Sequence, residues 1–339
     1  MENRIQIGPH WIGGREPVFI IAEVGSNHNG SLEQAKKLID ICVKTKVDAV
    51  KFQAFKAGKL FNKIKNKGIV DKLKKLEIKN GWYEKLFDYA NKRGLIFLSS
   101  VFDEGSVDLL DNLGIVAYKV ASYELTHIPL LEHIAKKNKP IILSTGMANR
   151  LEIKEAIRSI HKAGNKQIII LHCISQYPTK SEDVNLNSLL TLQNDFNCPI
   201  GFSDHTKTIY ASIGAVALGA KVIEKHFTLD RSLPGSDHYY ALEPNGLKQM
   251  VIAIREVEKM LGSGEIRPAT SEIQERGWRR TIYAICDIPK GAIIIRDMLA
   301  ILRPSPKGSL DPKYLKRLLG KKIGRGIKRG GYFLEGDIQ

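Results

Sequence analysis

Cysteine is scarce in this chain, with four residues in 339, at positions Cys42, Cys173, Cys198 and Cys286. They show neither CxxC spacing nor the density of a stapled scaffold, which excludes a disulfide framework and makes reduced thiols the expectation. No stretch approaches the roughly 20 apolar residues that a membrane span needs. The opening segment, Met1 to Arg15, is polar and broken by Pro9, Gly13 and Gly14, so it lacks the apolar centre of a signal peptide. A cytoplasmic protein with no membrane partner is the expectation. Acidic residues are also short, at 36 Asp and Glu against 52 Lys and Arg, a net charge of +16. Such a surplus suits nucleic acid, anionic membrane or small anionic substrates. The basic residues read as scattered helix-face positions such as Lys36, Lys37, Lys72, Lys74 and Lys75, with denser runs at Lys313–Arg317 and Lys321–Arg329. No interleaved aromatics or recognition motif accompany them, so solvated surface is the reading and no nucleic-acid partner is expected.

What is present is the balance of a folded globular protein, 43% hydrophobic and 26% charged. From Val18 to about Gly262 short β-branched runs alternate with segments of helical period, the signature of repeated βα units. Eight runs stand out: Val18–Ala22, Ala49–Phe52, Leu95–Leu98, Val116–Val120, Pro140–Leu143, Ile168–Leu171, Pro199–Phe202 and Lys221–Ile223. Amphipathic helices fit Ser31–Lys46, Trp82–Arg93, Glu104–Leu113, Leu151–Ala163, Ile209–Leu218 and Leu247–Leu261. Eight units predict an α/β fold closed into a (β/α)8 TIM barrel, which commonly takes about 250 residues. An open doubly wound sheet would show a glycine-rich fingerprint after its first strand. Here that strand ends in Glu23-Val24-Gly25-Ser26-Asn27-His28-Asn29-Gly30 instead. The character changes beyond Gly262. The reading is a barrel domain over 1–265, a linker over 266–280 and a small β-rich domain over 281–339, too small for a large core and expected to dock on another surface.

The C-terminal ends of barrel strands converge on one mouth, where active sites of this fold sit. The polar residues at those ends are Glu23, Lys51 with Gln53, Ser99 with Ser100, Lys119 with Ser122 and Glu124, Ser144, His172 with Ser175 and Tyr177, Ser203 with His205, and Glu224 with His226. Lys51 and Lys119 interrupt apolar strands, and a lysine pointing into a barrel must meet negative charge, because burying it unpaired costs several kcal/mol. A structural ion pair with a glutamate would satisfy it. Two such lysines among serine hydroxyls favour a pocket for phosphate and carboxylate. His205 and His226 end consecutive strands and together suit a divalent ion acting as a Lewis acid, with positions left open. Glu224 shares the parity of His226, and serves as a ligand, as an orienting partner or as countercharge to a lysine. Cys173 reads as a small buried hydrophobe with nothing to activate it. In the loop after the eighth strand, Asp237 is placed to meet substrate hydroxyls.

At these same residues the chain resembles a known family. Ala22-Glu23-Val24-Gly25-Ser26-Asn27-His28, Val50-Lys51-Phe52-Gln53, Tyr118-Lys119-Val120-Ala121-Ser122-Tyr123-Glu124, Leu143-Ser144-Thr145-Gly146-Met147, Gly201-Phe202-Ser203-Asp204-His205-Thr206 and Glu224-Lys225-His226-Phe227-Thr228 are similar to the N-acetylneuraminate (sialic acid) synthase family. Asp287-Ile288-Pro289-Lys290-Gly291 and Leu302-Arg303-Pro304 resemble the antifreeze-like (SAF, β-clip) domain that follows the barrel in that family. The resemblance implies a synthase that condenses phosphoenolpyruvate with an N-acylated amino sugar and water to a nonulosonic acid and phosphate. It implies a divalent metal, Mn2+ with Mg2+ or Co2+ as alternatives, on His205 and His226. It implies phosphoenolpyruvate on Lys51, Ser100, Lys119, Ser122, Ser144, Ser175 and Ser203, and sugar on Glu23, Gln53, Glu124, Tyr177, Asp237 and Arg303. Glu23, Lys51, Lys119 and Glu224 are the catalytic candidates. A domain-swapped homodimer, the small domain capping the partner's barrel, is also implied.

Two departures matter, the first for one phosphate contact only and the second for the sugar. Ser175 stands where family members using N-acetylmannosamine often carry asparagine, and the lysine-rich stretch Lys56 to Asn80 does not align with the family's sugar-covering loop. N-acetylmannosamine, a diacetamido sugar leading to legionaminic or pseudaminic acid, and a spore-coat precursor stay open. Ser236-Asp237-His238 looks nearer the neuraminic and legionaminic type. Two other readings are weighed. A related synthase making a deoxy sugar acid from a phosphorylated aldose would want more arginines at the strand ends than occur here. A protein binding anionic ligands or nucleic acid would leave the two strand-end histidines unexplained.

Overall fold

The computed structural model describes residues 3–79 and 81–337. Met1, Glu2, Asn80, Ile338 and Gln339, which fall within the terminal readings above and at the end of the lysine-rich stretch, lie outside the described residues. The chain divides into two units, 1–262 and 263–339.

The first unit opens with a hairpin of β1 (Ile5–Ile7) and β2 (His10–Ile12), where the sequence had read only as a polar, broken segment. Its signal was the spacing of Ile5, Ile7 and Ile12, all buried, in an otherwise polar segment. Then follow β3 (Phe19–Glu23), β4 (Ala49–Ala54), β5 (Ile96–Val101), β6 (Tyr118–Val120), β7 (Ile141–Ser144), β8 (Ile168–Cys173), β9 (Ile200–Asp204) and β10 (Val222–His226). Among the described residues these eight strands pair in parallel, in chain order, and β10 returns to β3 to close the barrel. The expected TIM barrel is the fold. Most of the expected strands stop short, because the polar residues that seemed to begin the loops continue the strands: Glu23, Ser99, Ser100, Ser144, His172, Ser203 and His226 are all strand residues.

Side-chain alternation along each strand divides the core. Outward residues such as Ile20, Val50, Phe97, Ile141, Ile170 and Ile223 pack against the surrounding helices. Inward residues in the N-terminal half, among them Phe19, Ile21, Ala49, Leu98, Ile142, Ile169 and Val222, form a second apolar cluster with Ile5, Ile7 and Ile12 of the hairpin, which therefore floors the barrel. The helices begin where capping chemistry allows. Ser31 accepts from the backbone of Gln34 ahead of the helix Leu32–Thr45, and Asn149 with Glu152 forms a capping box ahead of Arg150–Lys162. Besides the short helices after β4 and in the second unit, two helices of the barrel escaped the periodic reading, Ile128–Ala135 and Ser188–Asp195, each of only eight residues.

The stretch after β4 contains the helices Ala57–Leu60 and Lys67–Lys74. It lies along the rim of the barrel mouth. Lys59 pairs with Asp103, just past β5, at 2.6 Å, and the carbonyl of Lys75 is so close to Gly30, past β3, that a Cβ on that glycine would come within 2.7 Å of it. The basic surplus is more localised than the sequence reading held. Residues 56–80 carry nine lysines against two acidic residues, and residues 263–339 carry 16 basic against eight acidic. The rest of the chain is nearly neutral, with 27 basic and 26 acidic residues.

The second unit has its own core around Ile282, Ile288, Ile294, Leu299, Leu318, Ile323 and Phe333. Its strands β11 (Thr281–Ala284) and β12 (Leu299–Leu302) pair antiparallel, and isolated bridges such as Ile288 with Ile327 add further β contacts. No helix among the described residues is long and apolar enough to cross a membrane.

Candidate active site

The C-terminal mouth of the barrel holds a cavity lined by Glu23, Lys51, Gln53, Ser100, Lys119, Ser122, Ser144, Cys173, Tyr177, Ser203, His205, Glu224 and His226. Parity puts them there: Glu23, Lys51, Ser100, Lys119, Ser144, Cys173 and Glu224 each stand two residues past a residue of the floor cluster, and Ser203 stands two past Gly201. Larger clefts near the N-terminal end, around Asn3, Asp195 and Cys198, gather no comparable set of charges.

Both lysines are almost fully buried, at 2% exposure each. Lys51 Nζ lies 2.8 Å from Glu23 Oε2, 3.7 Å from Glu224 Oε2 and donates to Ser100 Oγ at 2.8 Å. Lys119 Nζ lies 3.8 Å from Glu224 Oε1 and donates to Ser144 Oγ at 2.7 Å. Glu224 is thus shared by both ammoniums and also accepts from Ser203 Oγ at 3.0 Å, while Glu23 accepts from Gln53 Nε2 at 2.7 Å. The glutamates differ in proton affinity. Burial favours the neutral acid in both, but Lys119 and Lys51 override it for Glu224 and hold its pKa down to about 2. For Glu23 burial outweighs Lys51, and with the neighbouring charge of Glu224 it pushes the pKa up to about 7. Burial lowers the pKa of Lys119 although Glu224 opposes it, whereas Glu224 and Glu23 raise that of Lys51 against its burial. With both lysines protonated the pocket carries two ammoniums, one carboxylate and one group able to give or take a proton near neutrality. That balance suits an incoming anion.

Beside this pair stands a backbone cradle. Gly146 N–H donates to Ser122 Oγ at 3.0 Å, and a Cβ on Gly146 would fall 2.3 Å from Ser175 Oγ and 2.9 Å from Ser122 Oγ. Only glycine leaves room for the two hydroxyls. Ser175 does not itself line the cavity, but its Oγ is buried without a partner beside Gly146, so the cradle holds a hydroxyl proton that is not yet donated.

His205 Nδ1 donates to Ile174 O at 2.8 Å, so Nε2 is the nitrogen open to an ion when the ring is neutral; burial favours that neutral form, but Cys173 and Ile174 O outweigh it and raise the pKa. The rings of His205 and His226 are 5.5 Å apart between centroids. Burial holds His226 neutral, with its pKa driven down to about 3 although Asp237 pulls the other way, and its Nδ1 is buried without a partner. Two neutral-capable imidazoles with an unsatisfied nitrogen fit a divalent ion. Among the described residues no three His, Cys, Asp or Glu side chains converge closely enough to hold a metal by themselves, so an ion here would complete its shell from substrate or water.

Not every expected residue reaches the cavity. Ser99 and His172 point outward, Ser99 donating to Ser100 O and His172 Nε2 meeting Val184 O at 2.8 Å, because each is one residue out of phase with the lining positions. Glu124 stands on the turn after β6, 3.3 Å from His127 Nδ1, and does not line the cavity. Asp237 accepts from Ser26 N at 3.0 Å and Ser26 Oγ at 2.9 Å, beside Gly25 and the ring of His226. Arg303 is in the second unit, exposed, directly after β12. Cys173 is not an isolated hydrophobe. Its Sγ is 3.8 Å from His205 Nδ1, and the pairing lowers the thiol pKa against its burial.

Sequence reasoning missed Tyr240. Its ring lies 5.3 Å from that of His226 and its hydroxyl is buried without a partner. It follows the loop after β10, and nothing in the strand rhythm marks it. Also missed were Asp204 and Lys225, outward neighbours of the two histidines, which form a fully buried ion pair at 2.9 Å.

Comparison with known proteins places these residues in context. The model of the NeuB family matches residues 38–266. The N,N'-diacetyllegionaminic acid synthase of Legionella pneumophila is 40% identical over 344 residues, covering 96% of each chain. The spore coat polysaccharide biosynthesis protein SpsE of Bacillus subtilis is 40% identical over 92% of this chain and 91% of its own. A crystal structure of N-acetylneuraminic acid (sialic acid) synthetase from Leptospira borgpetersenii, in complex with citrate, matches with a TM-score of 0.77 at 38% identity, covering 81% of this chain and 95% of that one.

Proposed function

The chain belongs to the NeuB family, and on that premise we propose that its barrel condenses phosphoenolpyruvate with the open-chain form of an N-acylated amino sugar, yielding a nonulosonic acid and phosphate. The observation that carries the reading is the pair of buried lysines around Glu224, with Glu23 poised near neutrality, beside a cradle of glycine N–H and serine hydroxyls.

In this reading Lys51, Lys119, Ser100 and Ser144 meet the carboxylate and phosphate of phosphoenolpyruvate, helped by Ser122, Ser175 and Ser203. C3 of phosphoenolpyruvate attacks the sugar aldehyde, forming the carbon–carbon bond and leaving C2 cationic. Glu224, held ionised by both lysines, faces that positive charge. Glu23 supplies a proton to the aldehyde oxygen and takes one from the water that adds at C2, both of which its position and pKa allow. Collapse of the adduct expels phosphate with its bridging oxygen and leaves the keto acid. A divalent ion on His205 and His226, Mn2+ or else Mg2+ or Co2+, would polarise the aldehyde as a Lewis acid. Gln53, Tyr177 and Asp237 are the sugar contacts of this reading. We read the second unit as an antifreeze-like SAF domain and the working form as a homodimer in which each small unit serves the other copy's barrel, Arg303 meeting the acyl group.

The test is phosphate release from phosphoenolpyruvate with Mn2+ present, across N-acetylmannosamine, diacetamido-hexoses and phosphorylated aldoses. Release that depends on an acylamino sugar supports the reading. Release with a phosphorylated aldose alone transfers the chain to the deoxy sugar acid chemistry, and release with none refutes both.

A further inference from the structure

The β9–β10 ladder ends at the pair Asp204 with Lys225. His205 and His226 each follow that pair by one residue, so no ladder pair joins the two imidazole-bearing residues. Side chains take over where the ladder stops. Lys225 points away from the cavity and is 1% exposed, and its Nζ lies 2.9 Å from Asp204 Oδ2 and donates to Thr206 O at 2.5 Å and to Thr206 Oγ1 at 3.3 Å. One ammonium, from between Glu224 and His226, therefore grips both sequence neighbours of His205. Asp204 is fastened in turn: it accepts from Thr206 N at 2.8 Å and from Ser212 Oγ at 2.6 Å, which ties the turn to the helix Tyr210–Ala217.

The geometry points to Lys225 and Asp204 as positioning residues, a clamp behind the site that sets the placement of His205 relative to His226 and with it the affinity for a divalent cation. A buried ion pair is a poor stabilising device. Replacing one with apolar side chains of similar size is often neutral or stabilising, whereas removing one partner strands a charge. A role confined to folding would thus survive the apolar exchange, and a role in aligning the imidazoles would not. The inference rests on the proposed metal site at His205 and His226, and its test separates the two.

The experiment titrates the full-length protein with Mn2+ alone, reading free ion by electron paramagnetic resonance, and measures phosphoenolpyruvate binding without metal by calorimetry. In Lys225→Met/Asp204→Leu we expect a folded protein whose thermal midpoint stays near that of the parent, Mn2+ affinity weakened about 10–100-fold, the range for groups that orient metal ligands, and phosphoenolpyruvate affinity unchanged within about threefold. Mn2+ affinity within twofold of the parent overturns the clamp. If the double variant does not fold, Ser212→Ala, which loosens Asp204 while keeping the ion pair, must weaken Mn2+ several-fold, and no change there overturns the clamp equally. A parent that binds no Mn2+, yet binds phosphoenolpyruvate, removes the metal site itself and the clamp with it.

Discussion

The floor and the mouth of the barrel are built by the same eight strands with the same alternation, yet they share no chemistry. A single residue separates Ile21 from Glu23, Ala49 from Lys51, Leu98 from Ser100, Ala117 from Lys119, Ile142 from Ser144 and Val222 from Glu224. The lower set is an apolar cluster sealed by the hairpin, and the upper set holds four buried ionisable groups and a row of hydroxyls. The floor gains from burial, and the mouth gives some of that gain back as desolvation of its ions. Stability and chemistry are thus separated along one axis, and substitutions a single strand step apart should act on different quantities.

The sharpest contrast lies at the mouth. Lys119→Met removes an ammonium from Glu224 and from the anion pocket, and kcat/KM for phosphoenolpyruvate should fall by at least about 10²–10³-fold, as for loss of a preorganised electrostatic donor. Steady-state kinetics reads this, and the urea midpoint should move little because Glu224 keeps Lys51. On the floor, Ile169→Ala should do the reverse. It should cost about 2–5 kcal/mol in urea unfolding while activity per folded molecule persists. If the floor variant loses activity without losing stability, the separation fails.

A smaller effect links the mouth loops to pH. His28 is buried, its Nδ1 accepts from Gly30 N at 3.1 Å, and burial, opposed by Asp237, lowers its pKa to about 4. The unfolded chain binds that proton near pH 6.5, about the ordinary histidine value. The folded state binds fewer protons below that point, so His28 contributes stability that is full above about pH 6.5 and is lost as pH falls through about 4. Thermal unfolding followed across that window should show the decline, and His28→Asn should flatten it by about one proton's worth of slope.

Much of this contrast was legible in the sequence because buried charge is conspicuous in an apolar strand. Lys51, Lys119 and Glu224 interrupt β-branched runs, and the two histidines close successive strands. What escaped reading depended on phase or on distance. With the third run ended at Leu98 and the sixth at Leu171, the parity beyond them was undetermined, so Ser99 and His172 were grouped with the lining although they face the helices. Asp204 and Lys225 looked like ordinary members of polar motifs, because an ion pair on the hidden face of two strands requires the register between them. Tyr240 reaches His226 only through the path of a long loop. The hairpin was overlooked because three isoleucines in a segment rich in glycine and charge give too short a pattern to count.

The central claim is that the mouth joins carbon to carbon and releases phosphate by addition of water at C2. The most direct measurement is to run the reaction in water enriched in oxygen-18 and weigh both products by mass spectrometry. The account predicts unlabelled phosphate, which departs with the bridging oxygen, and label in the keto acid. Label in the phosphate would mean that water attacks phosphorus, and would contradict it.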